Sequence, residues 1–221
     1  MYLSRLILNP RSRAVQRDLA QPHALHQTIL RAFPDNLEQT NERVLYRLDQ
    51  TRNNDLHLLV QSHDAPDWSH LLHNGYLLPG AQENPVVKTV TLQVQPNQRL
   101  GFRLRANPTK RLSAGTGNKG KRIGLYKLEE QINWLQRKAA EHGFRVDSVM
   151  PSQQQRIQGH IPRKEGQAAD QPAHDAKFFS VQFDGILQVT DPERFLNAVQ
   201  AGIGSGKAFG FGLLSVAPVR T

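Results

Sequence analysis

Two histidines three residues apart, His23 and His26, follow a proline near the start of the chain (Pro22-His23-Ala24-Leu25-His26). Proline is favoured at the first position of a helix, so the spacing predicts a helix from Pro22 on which both rings share a face. Leu25 and Ile29 take the stripe expected to be buried, which leaves the histidines at its border or exposed. Imidazole titrates near neutral pH, so such a pair can accept a proton from one oxygen and return one to another. At a ribose phosphodiester this would deprotonate a 2′-hydroxyl for attack on the adjacent phosphorus and protonate the departing 5′-oxygen, with no metal required. Two surface histidines on a polar helix face fit the same spacing. No metal site is expected from His23/His26 or His70/His73, because zinc draws on further thiolate or carboxylate ligands and the chain has no cysteine.

A second group of residues lies near the other end. Residues 202–212 (G-I-G-S-G-K-A-F-G-F-G) hold five glycines and Lys207, followed by an apolar run. Glycine lets backbone N–H groups approach an anion closely, and Lys207 adds a point charge, so Gly204, Gly206 and Lys207 suit contact with a phosphate. A nucleotide-hydrolysing P-loop is not expected. Ala201 stands where that motif has glycine, Ala208 replaces the hydroxyl that would reach magnesium, and the loop follows a helix instead of preceding one. A polynucleotide backbone is the expected ligand, with a plain helix-to-strand turn as the alternative.

The charge distribution points the same way. Of the net charge of +9 on 221 residues, residues 1–95 contribute nothing, with nine Lys/Arg and nine Asp/Glu. Between Glu83 and Glu129 there are ten basic residues and no acidic one. Such a single-sign field steers polyanions, and nucleic acid fits better than a membrane surface because no basic amphipathic helix stands out. In F-R-L-R-A-N-P-T-K-R, alternation sets Arg103 and Arg105 on the face opposite Phe102 and Leu104, with Lys110 and Arg111 just beyond. Those four, with Lys121 and Arg122, are expected to contact phosphates.

These residues need a scaffold. Residues 2–8 read as a strand, not a signal peptide, followed by a basic linker and the helix from Pro22 through Phe33 to Pro34. Strands are expected at 44–48, 56–60 and 86–94, with a short helix near 68–72. The order then repeats: a strand at 99–106, an amphipathic helix through Leu128, Ile132, Leu135 and Ala139, strands at 144–149 and 179–189, a helix opened by Asp191-Pro192-Glu193, and a last strand at 213–216. Residues 110–127 read as a mobile basic insertion, and 151–177 as a long hairpin or a disordered segment. The fold class is α+β: two tandem ferredoxin-like (βαββαβ, RRM-like) domains with antiparallel sheets, spanning 1–95 and 96–221. A cytoplasmic location and no membrane span are expected, since no apolar run nears the roughly 18 residues a span requires.

Four stretches, Met1-Tyr2-Leu3-Ser4, residues 102–110, Trp134-Leu135-Gln136-Arg137-Lys138 and residues 202–218, together resemble one family. It is the CasE-type CRISPR RNA-processing endoribonucleases, subunits of the type I-E Cascade complex within the repeat-associated RNA-binding superfamily. The resemblance implies metal-independent, cofactor-free cleavage at the 3′ base of a CRISPR repeat hairpin, giving a 2′,3′-cyclic (or 3′) phosphate and a 5′-hydroxyl. It matches the family's catalytic histidine to His26 and a basic helper to Arg31. His23 stands where some members carry tyrosine, which leaves its role open. The resemblance further implies a product that stays bound, other Cascade subunits as partners, a free chain that is monomeric, and a hairpin at 151–177 that enters the groove of the stem. A non-catalytic subunit that holds a processed RNA end would show the same charge asymmetry and the same glycine loop.

Overall fold

The computed structural model describes residues 1–34, 43–81, 83–112, 122–161 and 174–219, the side chains of residues 153, 158–161 and 174–176 apart. The chain is mixed α+β with antiparallel sheets and divides into two compact units. The first comprises Met1–Thr91, Gln158–Ala176 and Ala208–Gly210; the second comprises Leu92–Ile157, Lys177–Lys207 and Phe211–Thr221. No described helix is long and apolar enough to cross a membrane.

The first unit opens with strand β1 (Tyr2–Leu8), whose alternate residues Ser4, Leu6 and Leu8 are buried, as a period of two requires. Helices α1 (Arg13–Ala20) and α2 (Pro22–Leu30) follow, then strands β2 (Leu45–Gln50) and β3 (Leu56–Ser62), the short helix α3 (Ser69–Leu72) and strand β4 (Val86–Thr89). The sheet order is β2-β3-β1-β4, every pair antiparallel. Leu25 and Ile29 of α2 join Leu6, Leu8, Tyr46, Leu58 and Val60 of the strands in one apolar cluster.

Three expectations change here. The segment expected to be a basic linker contains α1, which buries Val15 and Asp18. Its apolar stripe is broken by a buried carboxylate, so periodicity alone does not reveal it. Helix α2 ends at Leu30 instead of running to Phe33, and β4 stops at Thr89 instead of Val94.

Asp18 is 0% exposed and accepts hydrogen bonds from the hydroxyls of Thr28 (2.6 Å) and Tyr76 (2.9 Å) and from Arg17 Nε (3.0 Å). One carboxylate thus ties α1 to α2 and to the loop ahead of β4. Burial, together with the adjacent Asp18 carboxylate, pushes the Tyr76 phenol up in pKa and keeps it a donor.

In the second unit, β5 (Arg99–Ala106) shows the expected alternation, with Leu100, Phe102, Leu104 and Ala106 buried. Two short strands, β6 (Thr109–Arg111) and β7 (Arg122–Gly124), pair antiparallel inside the segment expected to be a mobile insertion. Helix α4 (Leu128–Glu141) leads to β8 (Phe144–Ile161), β9 (His174–Val189), helix α5 (Pro192–Ala201) and β10 (Leu214–Pro218), in the sheet order β10-β5-β9-β8. Strand β8 runs twelve residues past the expected end, so the flanks of the segment 151–177 are strands; residues 162–173 lie outside the described residues. Asp191 caps α5 by accepting from the Arg194 N–H at 3.1 Å. Trp134 of α4 stacks on Phe183 of β9 (centroids 6.2 Å apart), and Phe144 meets Phe195 edge-on at 5.8 Å.

Asp18→Asn is expected to lower the unfolding free energy by about 2–4 kcal/mol, because two buried hydroxyls lose a charged acceptor. The measurement is the urea midpoint at unchanged slope, and an unshifted midpoint would mean that the carboxylate does not hold the two helices.

Candidate functional site

Helix α2 carries its candidate residues on two different surroundings. His26 is half-buried; its ring lies 6.1 Å from that of Tyr46 with an interplanar angle of 19°, an offset stack. Tyr46 is 2% exposed and its hydroxyl donates to the carbonyl of Ala208 at 2.9 Å, so the stacking partner is itself fixed. The Nδ1 atom of His26 is buried and has no hydrogen-bond partner among the described residues. Burial, with a smaller contribution from the neighbouring charge of His23, pushes the His26 imidazole down to about 4. At neutral pH the ring is therefore uncharged.

His23 faces elsewhere. Together with Arg17, Gln27, Thr28 and Arg31 it lines a cavity of about 420 Å³. His23, Gln27 and Arg31 are four residues apart in succession, which places them on one stripe of α2. Arg31 is the C-terminal cap residue of the helix and is exposed. The structure thus groups His23 with Arg31 and sets His26 against the sheet. Helix α2 is held in its last turn twice, by the Thr28 hydroxyl on Asp18 and by the Thr28 carbonyl 3.1 Å from His70 Nε2.

Two contributors escape the sequence reading. Arg17 enters the cavity from α1, which reads as a linker because its polar composition hides the helix. Tyr46 reads as an ordinary strand residue; only its in-facing parity hints that it can touch α2.

The basic residues of the second unit separate into two groups. Lys110, Arg111, Arg122, Gly204 and Lys207 all line one cavity of about 710 Å³. Arg103 and Arg105 do not line it: Arg103 Nε donates to Asp184 at 2.6 Å, and Arg105 Nε donates to Ser180 Oγ at 2.9 Å while its guanidinium lies 6.0 Å from the Phe211 ring centre. Gly206 also stays outside that lining. A Cβ there would stand 2.9 Å from the Phe211 ring, and its φ of +79° already favours glycine, so aromatic packing accounts for this residue. Lys121 lies outside the described residues. The loop itself runs from α5 through a 3₁₀ turn (Lys207–Phe209) into β10.

The comparisons with known proteins agree on one family. Residues 1–218 match the family described as CRISPR associated protein. The chain is 42% identical to the CRISPR-associated endoribonuclease Cse3 of Thermus thermophilus and 34% identical to the Cascade subunit CasE of Escherichia coli, in each case over 99% of this chain and 100% of the relative. A solved structure of Cse3 bound to a 19-nucleotide RNA superposes with a TM-score of 0.82 at 40% identity, covering 99% of this chain and 100% of that one. This chain therefore belongs to the CRISPR-associated protein family that includes Cse3 and CasE.

Proposed function

We propose that this chain is an endoribonuclease that binds a CRISPR repeat stem-loop and cuts precursor RNA at the base of the stem. The observation that carries the reading is His26, a half-buried ring held neutral by burial, on a helix whose other stripe lines a cationic cavity. The relatives support the substrate: one is named an endoribonuclease and is solved with RNA, and another is named a Cascade subunit.

The reaction follows from these residues. His26 takes the proton of the 2′-hydroxyl as its oxygen bonds to phosphorus. The bond from phosphorus to the 5′-oxygen breaks, and His23 returns a proton to that oxygen. Arg31, joined by Arg17, stabilises the charge that builds on the phosphoryl oxygens, a contribution that preorganised cations make at low reorganisation cost. The products are a 2′,3′-cyclic phosphate and a 5′-hydroxyl, and no step requires a metal. Residues 1–95 form the cleaving domain and residues 96–221 the clamp, with Lys110, Arg111, Arg122 and Lys207 on the stem phosphates. A-form stems are recognised by shape and backbone, which suits such a clamp. The strand orders β4-β1-β3-β2 and β10-β5-β9-β8, each with the first and third strands of that four-stranded sheet in the middle, support reading both domains as ferredoxin-like. The free chain is a cytoplasmic monomer, and with its product bound it takes its place among the other subunits of a Cascade complex.

In EDTA, His26→Ala is expected to slow cleavage of the repeat hairpin by on the order of 10²- to 10⁴-fold while still binding it. Undiminished cutting by the variant would remove His26 from the mechanism, and loss of wild-type cutting in EDTA would remove the metal-free claim. A hairpin with a 2′-deoxy residue at the scissile position should bind and stay intact; slow cutting of it would point to attack by water instead.

The protonation of His26 gives an independent check by NMR of the ring carbons. In the free protein the ring should stay neutral until the pH falls to about 4. An ordinary histidine half-protonates near 6.5, so the unfolded chain binds more protons between these values and folding stability should decline as pH falls through that window. With the 2′-deoxy hairpin bound, the nearby phosphate charge should move the His26 midpoint upward, and an unmoved midpoint would place the phosphate elsewhere.

A further inference from the structure

The 710 Å³ cavity of the second unit is lined by more than the residues that the sequence marks out. Arg137 and Lys138, near the C-terminal end of α4, His142 just beyond it, and Ser205 of the glycine loop also line it. We infer that this cavity seats a phosphodiester of the bound RNA other than the one that is cut, with Arg137, Lys138 and the Ser205 hydroxyl as its ligands. The inference rests on the reading that the chain binds an RNA hairpin.

Charge is the first argument. No carboxylate is among the described residues that line the cavity, while Lys110, Arg111, Arg122, Arg137, Lys138 and Lys207 all line it. The acidic residues beside it are partners of these cations: Glu130 pairs with Lys110 at 2.8 Å, and Glu141 pairs with both Arg137 and Lys138. One carboxylate between two cations leaves a net positive charge there. The planar fork of a guanidinium matches two phosphate oxygens.

Ser205 is the second argument. Its hydroxyl oxygen is buried and has no hydrogen-bond partner among the described residues. A buried polar atom without a partner calls for a ligand, and a hydroxyl beside several cations can donate to an anionic oxygen.

The remaining lining decides which anion. Trp134 forms part of the wall but is only 4% exposed and stacked on Phe183, so it offers no open face to a base. The cavity therefore recognises backbone charge without reading a nucleobase, which suits a phosphodiester of a stem. All of its lining belongs to the second unit, whereas His23, His26 and Arg31 belong to the first.

His142 supplies a reporter inside the site. Burial and the charges of Lys138, Lys207 and Arg194 lower its pKa, with Glu141 acting in the opposite direction. A phosphate seated there adds negative charge and must raise it.

The test measures binding of the 2′-deoxy-blocked repeat hairpin by fluorescence anisotropy across a series of KCl concentrations. The double variant Arg137→Gln/Lys138→Gln is expected to lose about tenfold or more in affinity and to lower the slope of log affinity against log salt by about one to two. Glu141→Gln, which removes the competing carboxylate, should tighten binding severalfold, whereas a purely structural role for Glu141 would weaken it. In the wild type, the His142 midpoint should rise when the hairpin binds. An unchanged slope in a double variant that melts like the wild type, weaker binding by Glu141→Gln, or an unmoved His142 midpoint would each overturn the seat. Wild-type cleavage of the unblocked hairpin is run in parallel. If the wild type binds but does not cut, the endoribonuclease reading falls and the seat is still judged by the slopes. If the wild type does not bind the hairpin, both fall.

Discussion

A carboxylate without solvent contact has to be compensated inside the protein, and in the first unit Asp18 sets the terms for everything around it. Removing such a group from water costs several kcal/mol, which only well-placed donors offset. Thr28, Tyr76 and Arg17 supply them, so α1 is tied to α2 by the 2.6 Å bond from Thr28 and not by apolar packing alone. The last turn of α2 is pinned a second time by His70 on the Thr28 carbonyl. Apolar side chains can slide over one another at small cost, whereas a charged acceptor tolerates little displacement of its donors. Residues within one turn of Thr28, among them His26 and Arg31, are held along with it.

The same burial that fixes the helix also sets the proton affinity of His26. A ring stacked on Tyr46 and largely out of water is uncharged at neutral pH, and a neutral imidazole is the form that accepts a proton. Its low pKa in the free protein makes it a weak base. The proposed reaction resolves this through the substrate, because a phosphate beside the ring stabilises the imidazolium as it forms. Arg31 of α2 and Arg17 of α1 line the cavity on the other side of the helix and do not contribute to the shift of the ring.

Where local pattern and burial coincide, the sequence is legible. The alternation of Arg99–Ala106 predicts which side chains of β5 are buried, and Asp191-Pro192 predicts the start of α5. The pattern of α1 fails because the residue that matters most in it, Asp18, is a polar residue in an apolar position. No periodicity rule anticipates a carboxylate whose partners lie 10 and 58 residues away. Tyr46 is missed for a related reason, since its role depends on which helix packs over it. Both basic arms of the β6–β7 pair look like an insertion in sequence because three-residue strands carry too few positions to show a period.

The glycine loop shows how one segment can satisfy packing and charge at once. Read as sequence, its glycines are openings for a phosphate. In the structure Gly204 approaches the Trp134 ring, where a Cβ would stand 3.1 Å away, and Gly206 makes room for Phe211. The glycines thus let the chain lie flat on aromatic side chains. In the same loop the Ser205 hydroxyl is buried, and Ser205 and Lys207 line one cavity with Arg137 and Lys138 of α4. The two readings therefore hold together: the backbone packs closely on Trp134 and Phe211, and the same loop supplies a hydroxyl and a cation to one cavity.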